Sequence, residues 1–257
     1  MKYTKDPKVK LISYTKDAIL LMCWTRRVMH EKVPDNLKEL KKDPEKWLGE
    51  SVDQYVENVL LKDGMPTFLE YVNLTFKLEN VSRALTHQLV RHRIGFSYSQ
   101  QSMRCVKAEN FADDGLYHMS STIENKKAYH QKMLDIQEKY RQALNDGVST
   151  QDARGLLPTN IYTTITFSCS LRAFIGMINK RLCLKTQGEF RAVAELMKKE
   201  IIKKMDKRIL KWIGSPCNFG YCIMKAENEE QLRKNKLIGI QNTDHVCPLY
   251  LKIFKEK

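Results

Sequence analysis

From Val72 to Leu78 the chain alternates strictly, with Val72, Leu74, Phe76 and Leu78 apolar and Asn73, Thr75 and Lys77 polar. That period predicts a half-buried strand. A short apolar run, Leu11 to Tyr14, suits a second strand, and the β-branched run Ile161 to Phe167 after Pro158 a third. Helical spacing dominates elsewhere. Asp17 to His30 carries Ile19, Leu20, Met22 and Cys23 on one stripe, and Ser51 to Leu61 predicts another helix. Asn80 is expected to cap a helix running from Val81 to about Arg93, in which Val81, Ala84, Leu85 and Leu89 recur and which Gly95 stops. Ser121-Thr122-Ile123-Glu124 has the form of a capping box, opening a long helix with a buried stripe of Tyr129, Met133, Ile136, Tyr140 and Ala143. Ser170 to about Asn179 is expected to be helical. Phe190, Val193, Ala194, Met197 and Ile201 mark a last long helix reaching Trp212, and the lysine-rich interval Asn36 to Lys46 a surface connection with a short helix. Helices with a few interposed strands define an α+β protein.

The length, 257 residues, allows one large domain or two small ones, and no internal repeat or low-complexity segment divides the chain. Its formal charge of +14 changes the picture more. Such a surplus of Lys and Arg attracts phosphates, although nucleic acid and free nucleotides present the same oxygens, and most of the lysines belong to a solvated surface. The cysteines, at 23, 105, 169, 183, 217, 222 and 247, are odd in number and scattered, with no signal peptide expected before them. A reducing compartment fits that usage. No apolar stretch approaches the roughly 18 residues of a membrane span, so a cytoplasmic protein without membrane association is expected.

The densest polar cluster is Gln88, Arg91, His92, Arg93, Ser97, Ser99, Gln100, Ser102 and Arg104, expected at a helix end and in the loop after it. Gln88 and Arg91, three apart, share a helix face in this reading, and the arginines can each pair with two oxygens of a phosphate at once. A surface patch of ordinary ion pairs would have the same composition. His87 is expected to pack on another face, and Trp24, Trp47 and Trp212 to lie in the core or an interface. His30, His118 and His130 are isolated.

The segment Arg83-Ala84-Leu85-Thr86-His87-Gln88-Leu89-Val90-Arg91-His92-Arg93, followed by Ser97-Tyr98-Ser99-Gln100-Gln101-Ser102-Met103-Arg104, resembles the signature of the flavin-dependent thymidylate synthases, the ThyX family. Other segments carry the same resemblance: Gly64 to Val72 with Thr67 and Glu70, Ala153-Arg154-Gly155-Leu156-Leu157-Pro158, Leu171-Arg172-Ala173-Phe174, Asn179-Lys180-Arg181 and Gln187-Gly188-Glu189. Together they run from about Val9 to Trp212. The chain departs from the pattern where Met65 and Lys185 stand for histidines, Ser170 for Asn and Cys105 for Tyr. The spacer Ile94 to Gln101 is also one residue longer.

The resemblance implies a ThyX-like fold, helices around a small mixed or antiparallel sheet, in a catalytic domain over 1–215 with a C-terminal extension over 216–257. It implies FAD as cofactor, held by Thr67, Glu70, Arg91, His92, Arg93, Ser170 and Arg172, with Thr25 a weaker candidate. It places a dUMP-like nucleotide on Gln88, Gln100, Ser102, Arg104, Arg154 and Arg181, with Arg154 and Arg181 foremost. Methylenetetrahydrofolate and NADPH are the implied co-substrates, and a homotetramer with shared active sites the implied assembly. A fixed arginine beside O2 and N3 of uracil would stabilise the charge that makes carbon 5 nucleophilic. Ser102 has no base placed to activate it, so a hydrogen-bonding role is expected.

The missing histidines keep open a transferase acting on dCMP or UMP, or leaving a hydroxymethyl group. A basic nucleic-acid-binding protein is the reading from another class, disfavoured because the basic runs lack interleaved aromatics. No metal site is expected, since C-x4-C at Cys217 and Cys222 and H-x-C at His245 and Cys247 are not the usual tight pairs.

Overall fold

The alternating segment forms a strand, and Val72, Leu74, Phe76 and Leu78 are all fully buried. The computed structural model describes residues 3–29 and 32–219. In chain order these form strand β1 (Lys8–Tyr14), helices α1 (Ala18–Val28), α2 (Leu37–Lys42), α3 (Pro44–Leu48) and α4 (Val52–Tyr55), strand β2 (Asn73–Ser82), helix α5 (Arg83–Leu89) and strand β3 (Phe96–Gln100). Helices α6 (Lys126–Asn145) and α7 (Thr150–Ala153), strand β4 (Tyr162–Ser170), and helices α8 (Leu171–Arg181) and α9 (Gly188–Lys204) follow. The mixture is α+β, as expected.

The chain divides into two units, Met1–Ile12 with Thr75–Ser168, and Ser13–Leu74 with Cys169–Lys257. The first contains the main run of all four strands, which make an antiparallel sheet in the order β1-β2-β4-β3. Phe76 of β2 stacks on Phe167 of β4 with ring centroids 5.4 Å apart. A second apolar cluster of this unit joins Met133 of α6 to Met103, Phe111, Ala112, Tyr117 and Ile161. Gln137, on the same helix, is buried because its side-chain oxygen accepts the Ala112 and Asp113 amides at 2.8 and 3.2 Å.

An N-terminal arm lies along the first unit. The Lys5 amide donates to the Gly115 carbonyl at 3.2 Å, and Tyr162 and Asn80 donate to the carbonyls of Lys5 and Asp6, each at 2.9 Å. Gly115 has φ +64°, and a Cβ there would meet the Tyr3 carbonyl oxygen at 2.5 Å. Only glycine satisfies both conditions.

The second unit is helical. Helix α1 buries Ile19, Leu20, Met22 and Cys23, and α9 buries Phe190, Val193, Ala194, Met197 and Ile201, as their spacing predicts. Helices α8 and α9 pack together, and Phe68 meets Trp212 edge-on at 6.4 Å. The lysine-rich interval is the pair α2 and α3, started by Asn36 and Asp43 as side-chain caps. Ser51 and Gln54 complete a reciprocal capping box on α4, which continues as a π turn over Val56–Leu60.

Several expected boundaries move. Asn80 does not cap a helix: it stays in β2 with φ 56° and gives its side-chain N–H to the arm, while Ser82 caps α5 by accepting the Leu85 amide at 2.9 Å. Helix α5 ends at Leu89, so Arg91, His92 and Arg93 follow it in a turn rather than forming its last turn. The residues after Gly95, expected as loop, pair as β3 with Phe96, Tyr98 and Gln100 on the less exposed side. The box over 121–124 does not form, and Asn125 caps α6 instead, accepting the Ala128 amide at 2.9 Å. Along α6, Met133 and Tyr140 are buried while Tyr129, Ile136 and Ala143 are half-buried. The last long helix stops at Lys204, and a 3₁₀ turn over Lys207–Trp212 completes the run. Trp24, Trp47 and Trp212 are all half-buried.

Candidate functional site

Each unit carries candidate residues at a strand-to-helix junction. In each, a strand ends on a serine whose hydroxyl caps the next helix: Ser82 between β2 and α5, and Ser170 between β4 and α8, where it accepts the Ala173 amide at 3.2 Å. An arginine follows each cap, Arg83 directly and Arg172 one residue later.

In the first unit, the turn bearing Arg91, His92 and Arg93 is held from the neighbouring strand. The Tyr98 hydroxyl of β3 lies 2.6 Å from the His92 carbonyl and 3.0 Å from that of Leu89, so it donates to the end of α5 and the turn together. Arg91 and Arg93 are exposed and His92 half-buried. Among the described residues neither exposed arginine has a carboxylate partner. Gln100 is fixed through its amide, which donates to the buried Thr86 hydroxyl at 3.1 Å, itself a donor to the Arg83 carbonyl at 3.0 Å. After β3, the Ser102 hydroxyl accepts the Arg104 amide at 3.2 Å and the Ser102 carbonyl accepts the amides of Cys105 and Val106. That turn displays Arg104 to solvent. It also engages the serine hydroxyl as a hydrogen-bond acceptor.

Arg154 opens a short 3₁₀ turn, Arg154–Leu156, after α7. With Arg83, His87, Gln151 and Asp152 it lines a cavity of about 490 Å³. His87 is therefore exposed at a cavity rather than packed. Sequence reasoning missed Arg83 and His87 here. Their spacing of four on α5, on the face away from the buried Leu85 and Leu89, is the signal that could have found them.

In the second unit, Arg172 and Glu70 form an ion pair at 2.5 Å, both about half-exposed. Thr67 starts the 3₁₀ turn that ends on Glu70 and is exposed. Thr25 donates back to the Leu21 carbonyl within α1 at 2.9 Å. Arg181, near the end of α8, is half-buried with its guanidinium 4.6 Å from the centre of the Phe190 ring. Desolvation lowers its pKa, yet a guanidinium so far above neutrality stays protonated. Met65 and Lys185 are exposed. The thirteen residues expected at cofactor and substrate thus divide, with Thr67, Glu70, Ser170, Arg172 and Arg181 in the second unit and the others in the first. No group of three metal-ligating side chains occurs among the described residues, and the Cys217 side chain, Cys222, His245 and Cys247 lie outside them.

A small antiparallel sheet with helices, and guanidinium groups presented from turns and helix ends, make up an α+β protein whose arginine forks are chemically suited to paired oxygens. A family model described as "Thymidylate synthase complementing protein" matches residues 10–206, and the chain belongs to that family. It is similar to the flavin-dependent thymidylate synthase of Pyrococcus furiosus, with 32% identity over 84% of this chain and 88% of that one. The Clostridium tetani enzyme of the same name is also 32% identical, over 85% of this chain and 91% of the relative. The fold is similar to Helicobacter pylori ThyX solved with FAD and dUMP, at a TM-score of 0.61 and 16% identity over 81% of this chain and 97% of that one. A UMP/dUMP methylase, PolB from Streptomyces cacaoi, bound with 5-Br dUMP, superposes with a TM-score of 0.55 and 17% identity over 82% and 96%.

Proposed function

We propose that the chain acts as a flavin-dependent thymidylate synthase, transferring a one-carbon unit from methylenetetrahydrofolate to carbon 5 of dUMP and reducing it to give dTMP. The observation that carries this is the family match over 10–206, which takes in every arginine of the candidate site. The donor set suits FAD: Arg91 and Arg93 are exposed without carboxylate partners among the described residues, which suits a pyrophosphate, and the Glu70–Arg172 pair offers both an acceptor and a fork of donors. What FAD supplies when bound is delivery of a hydride, taken from NADPH, to the transferred carbon.

The chain's own residues bind, orient and polarise. We assign Thr67, Glu70, Arg91, His92, Arg93, Ser170 and Arg172 to the flavin, and Gln88, Gln100, Ser102, Arg104, Arg154 and Arg181 to the nucleotide. Arg181 is best suited to the pyrimidine ring, because stacking on Phe190 holds its charge in one place in a partly desolvated setting. A fixed cation there stabilises negative charge on O2 and N3 as carbon 5 attacks. We take the working unit to be a homotetramer with shared sites, in which the domain over 1–215 is catalytic. Exposed Ile94 and Leu156, beside Arg93 and Arg154, support burial of these turns by another subunit. Cytoplasmic residence fits the free cysteines at 23, 105, 169 and 183, and no helix among the described residues is long and apolar enough to cross a membrane.

Purified protein is expected to show a flavin absorbance band and to convert dUMP to dTMP, identified by mass beside parallel reactions with dCMP and UMP. A flavoprotein that methylates only another nucleotide overturns the dUMP assignment, and one that leaves a hydroxymethyl group on carbon 5 overturns dTMP as the product. Arg181→Ala is expected to keep the band and lose about a hundredfold or more in turnover. Loss of the band instead would put this arginine on the flavin.

A further inference from the structure

The N-terminal arm, residues 3–7, precedes the stretch matched by the family model, 10–206, so its role has to be argued from its contacts. Those contacts converge on one segment, 111–117. The Lys5 amide donates to the Gly115 carbonyl at 3.2 Å, and only glycine leaves room there for the Tyr3 carbonyl oxygen. The Tyr3 ring lies 4.7 Å from that of His130, whose Nδ1 is 2.8 Å from the Tyr117 hydroxyl. Tyr162 joins the two stretches directly. Its amide donates to the Leu116 carbonyl at 2.8 Å and its hydroxyl to the Lys5 carbonyl at 2.9 Å.

The same segment anchors the turn that follows β3. Phe111, Ala112 and Tyr117 pack with Met103 and Ile161 in one buried cluster, and Met103 stands between Ser102 and Arg104, both assigned above to the nucleotide. Close packing passes a displacement on rather than absorbing it, so what moves 111–117 moves Met103 and its two neighbours. Helix α6 grips the segment through Gln137, which accepts the Ala112 amide, and Arg141, which donates to the Glu109 carbonyl at 2.7 Å. The arm grips it at Gly115 with a short, partly exposed stretch of chain, the kind that opens at low free-energy cost.

We propose that the arm is a strap that sets the position of the Ser102–Arg104 turn, with Tyr162 as the positioning residue that fastens it. Arm docking and nucleotide binding are then linked, each strengthening the other by the same factor. The strap rests on the nucleotide reading given above, since Ser102 and Arg104 enter it as nucleotide-binding residues.

Two measurements on the full chain test it. Hydrogen exchange at the Lys5 amide of the flavin-loaded protein is followed with and without dUMP, and affinities for dUMP and FAD are compared in the unsubstituted chain, Tyr162→Phe and Tyr3→Ala. Saturating dUMP is expected to slow exchange at Lys5 in the unsubstituted chain by about threefold to tenfold. Tyr162→Phe, which removes only the hydroxyl, is expected to speed that exchange and weaken dUMP binding by about threefold to tenfold, with FAD affinity and kcat at saturating dUMP unchanged. Tyr3→Ala is expected to act in the same way, and it decides by the same criterion should Tyr162→Phe fail to fold. A loosened arm with unchanged dUMP affinity reduces the arm to a stabilising contact and overturns the strap. Exchange at Lys5 that ignores dUMP, or parallel losses of dUMP and FAD, also overturns it. If the unsubstituted flavoprotein binds no dUMP, the nucleotide reading falls and the strap with it, a result distinguishable from failure of the strap alone.

Discussion

Burial raises the thiol pKa of Cys23 and of Cys169 from 9.0 to about 12, in both cases chiefly by desolvation, partly offset at Cys23 by the charge of Arg208. Both thiols stay protonated at neutral pH, and Cys183 is buried as well, whereas Cys105 is exposed in the turn after Ser102. Brief iodoacetamide treatment of native protein, followed by peptide mapping, is expected to label Cys105 and spare Cys23, Cys169 and Cys183 until the chain is unfolded. Labelling of Cys169 at the rate of Cys105 would contradict the burial. The sign of the pH effect follows from the same shift. The unfolded chain releases these protons first, so their contribution to stability is intact below 9.0 and declines as pH climbs toward about 12. At this scale the sequence was most informative for arginines, because a cluster of them close together in the chain repels itself and is suited to an anionic ligand. It was least informative for Arg83 and His87, whose significance depends on a cavity wall contributed by Arg154, some seventy positions away along the chain.

Between residue and whole chain, the two strand–serine–helix junctions show why some boundaries could be read and others not. Ser170 was legible as a helix start because its hydroxyl acts locally, three residues ahead. Asn80 looked the same but was taken by a long-range partner, the Asp6 carbonyl, and the box over 121–124 lost to Asn125. Strand β3 was missed because its pairing partner, β4, lies far away in sequence and its residues Ser97, Ser99 and Gln100 are polar. Its Tyr98 is what fastens the Arg91–His92–Arg93 turn to the sheet. Tyr98→Phe should cost about 0.5–1.5 kcal/mol of stability and weaken flavin binding by up to about tenfold, measured by thermal melting and flavin titration. A lowered melting temperature with unaltered flavin affinity would limit the tyrosine to a structural role.

For the molecule as a whole, a formal charge of +14 favours anionic partners without choosing among them, and the nucleotide reading proposed above rests on family membership rather than on charge. Light scattering of the purified protein is expected to give the mass of four chains of 30.1 kDa each, and a monomer that turns over dUMP would refute shared sites. The fold class was readable from periodicity alone, whereas the division into two units was not, because each unit is assembled from two separated stretches of chain. The arm pinned at Gly115 bears on how the chain can vary. Gly49 and Gly147 also have left-handed backbones, but open space surrounds the Cβ position of each, so asparagine is an acceptable replacement there. At Gly115 both the backbone and the Tyr3 carbonyl oppose any side chain, so a lineage could change that residue only by first letting go of its own N-terminus.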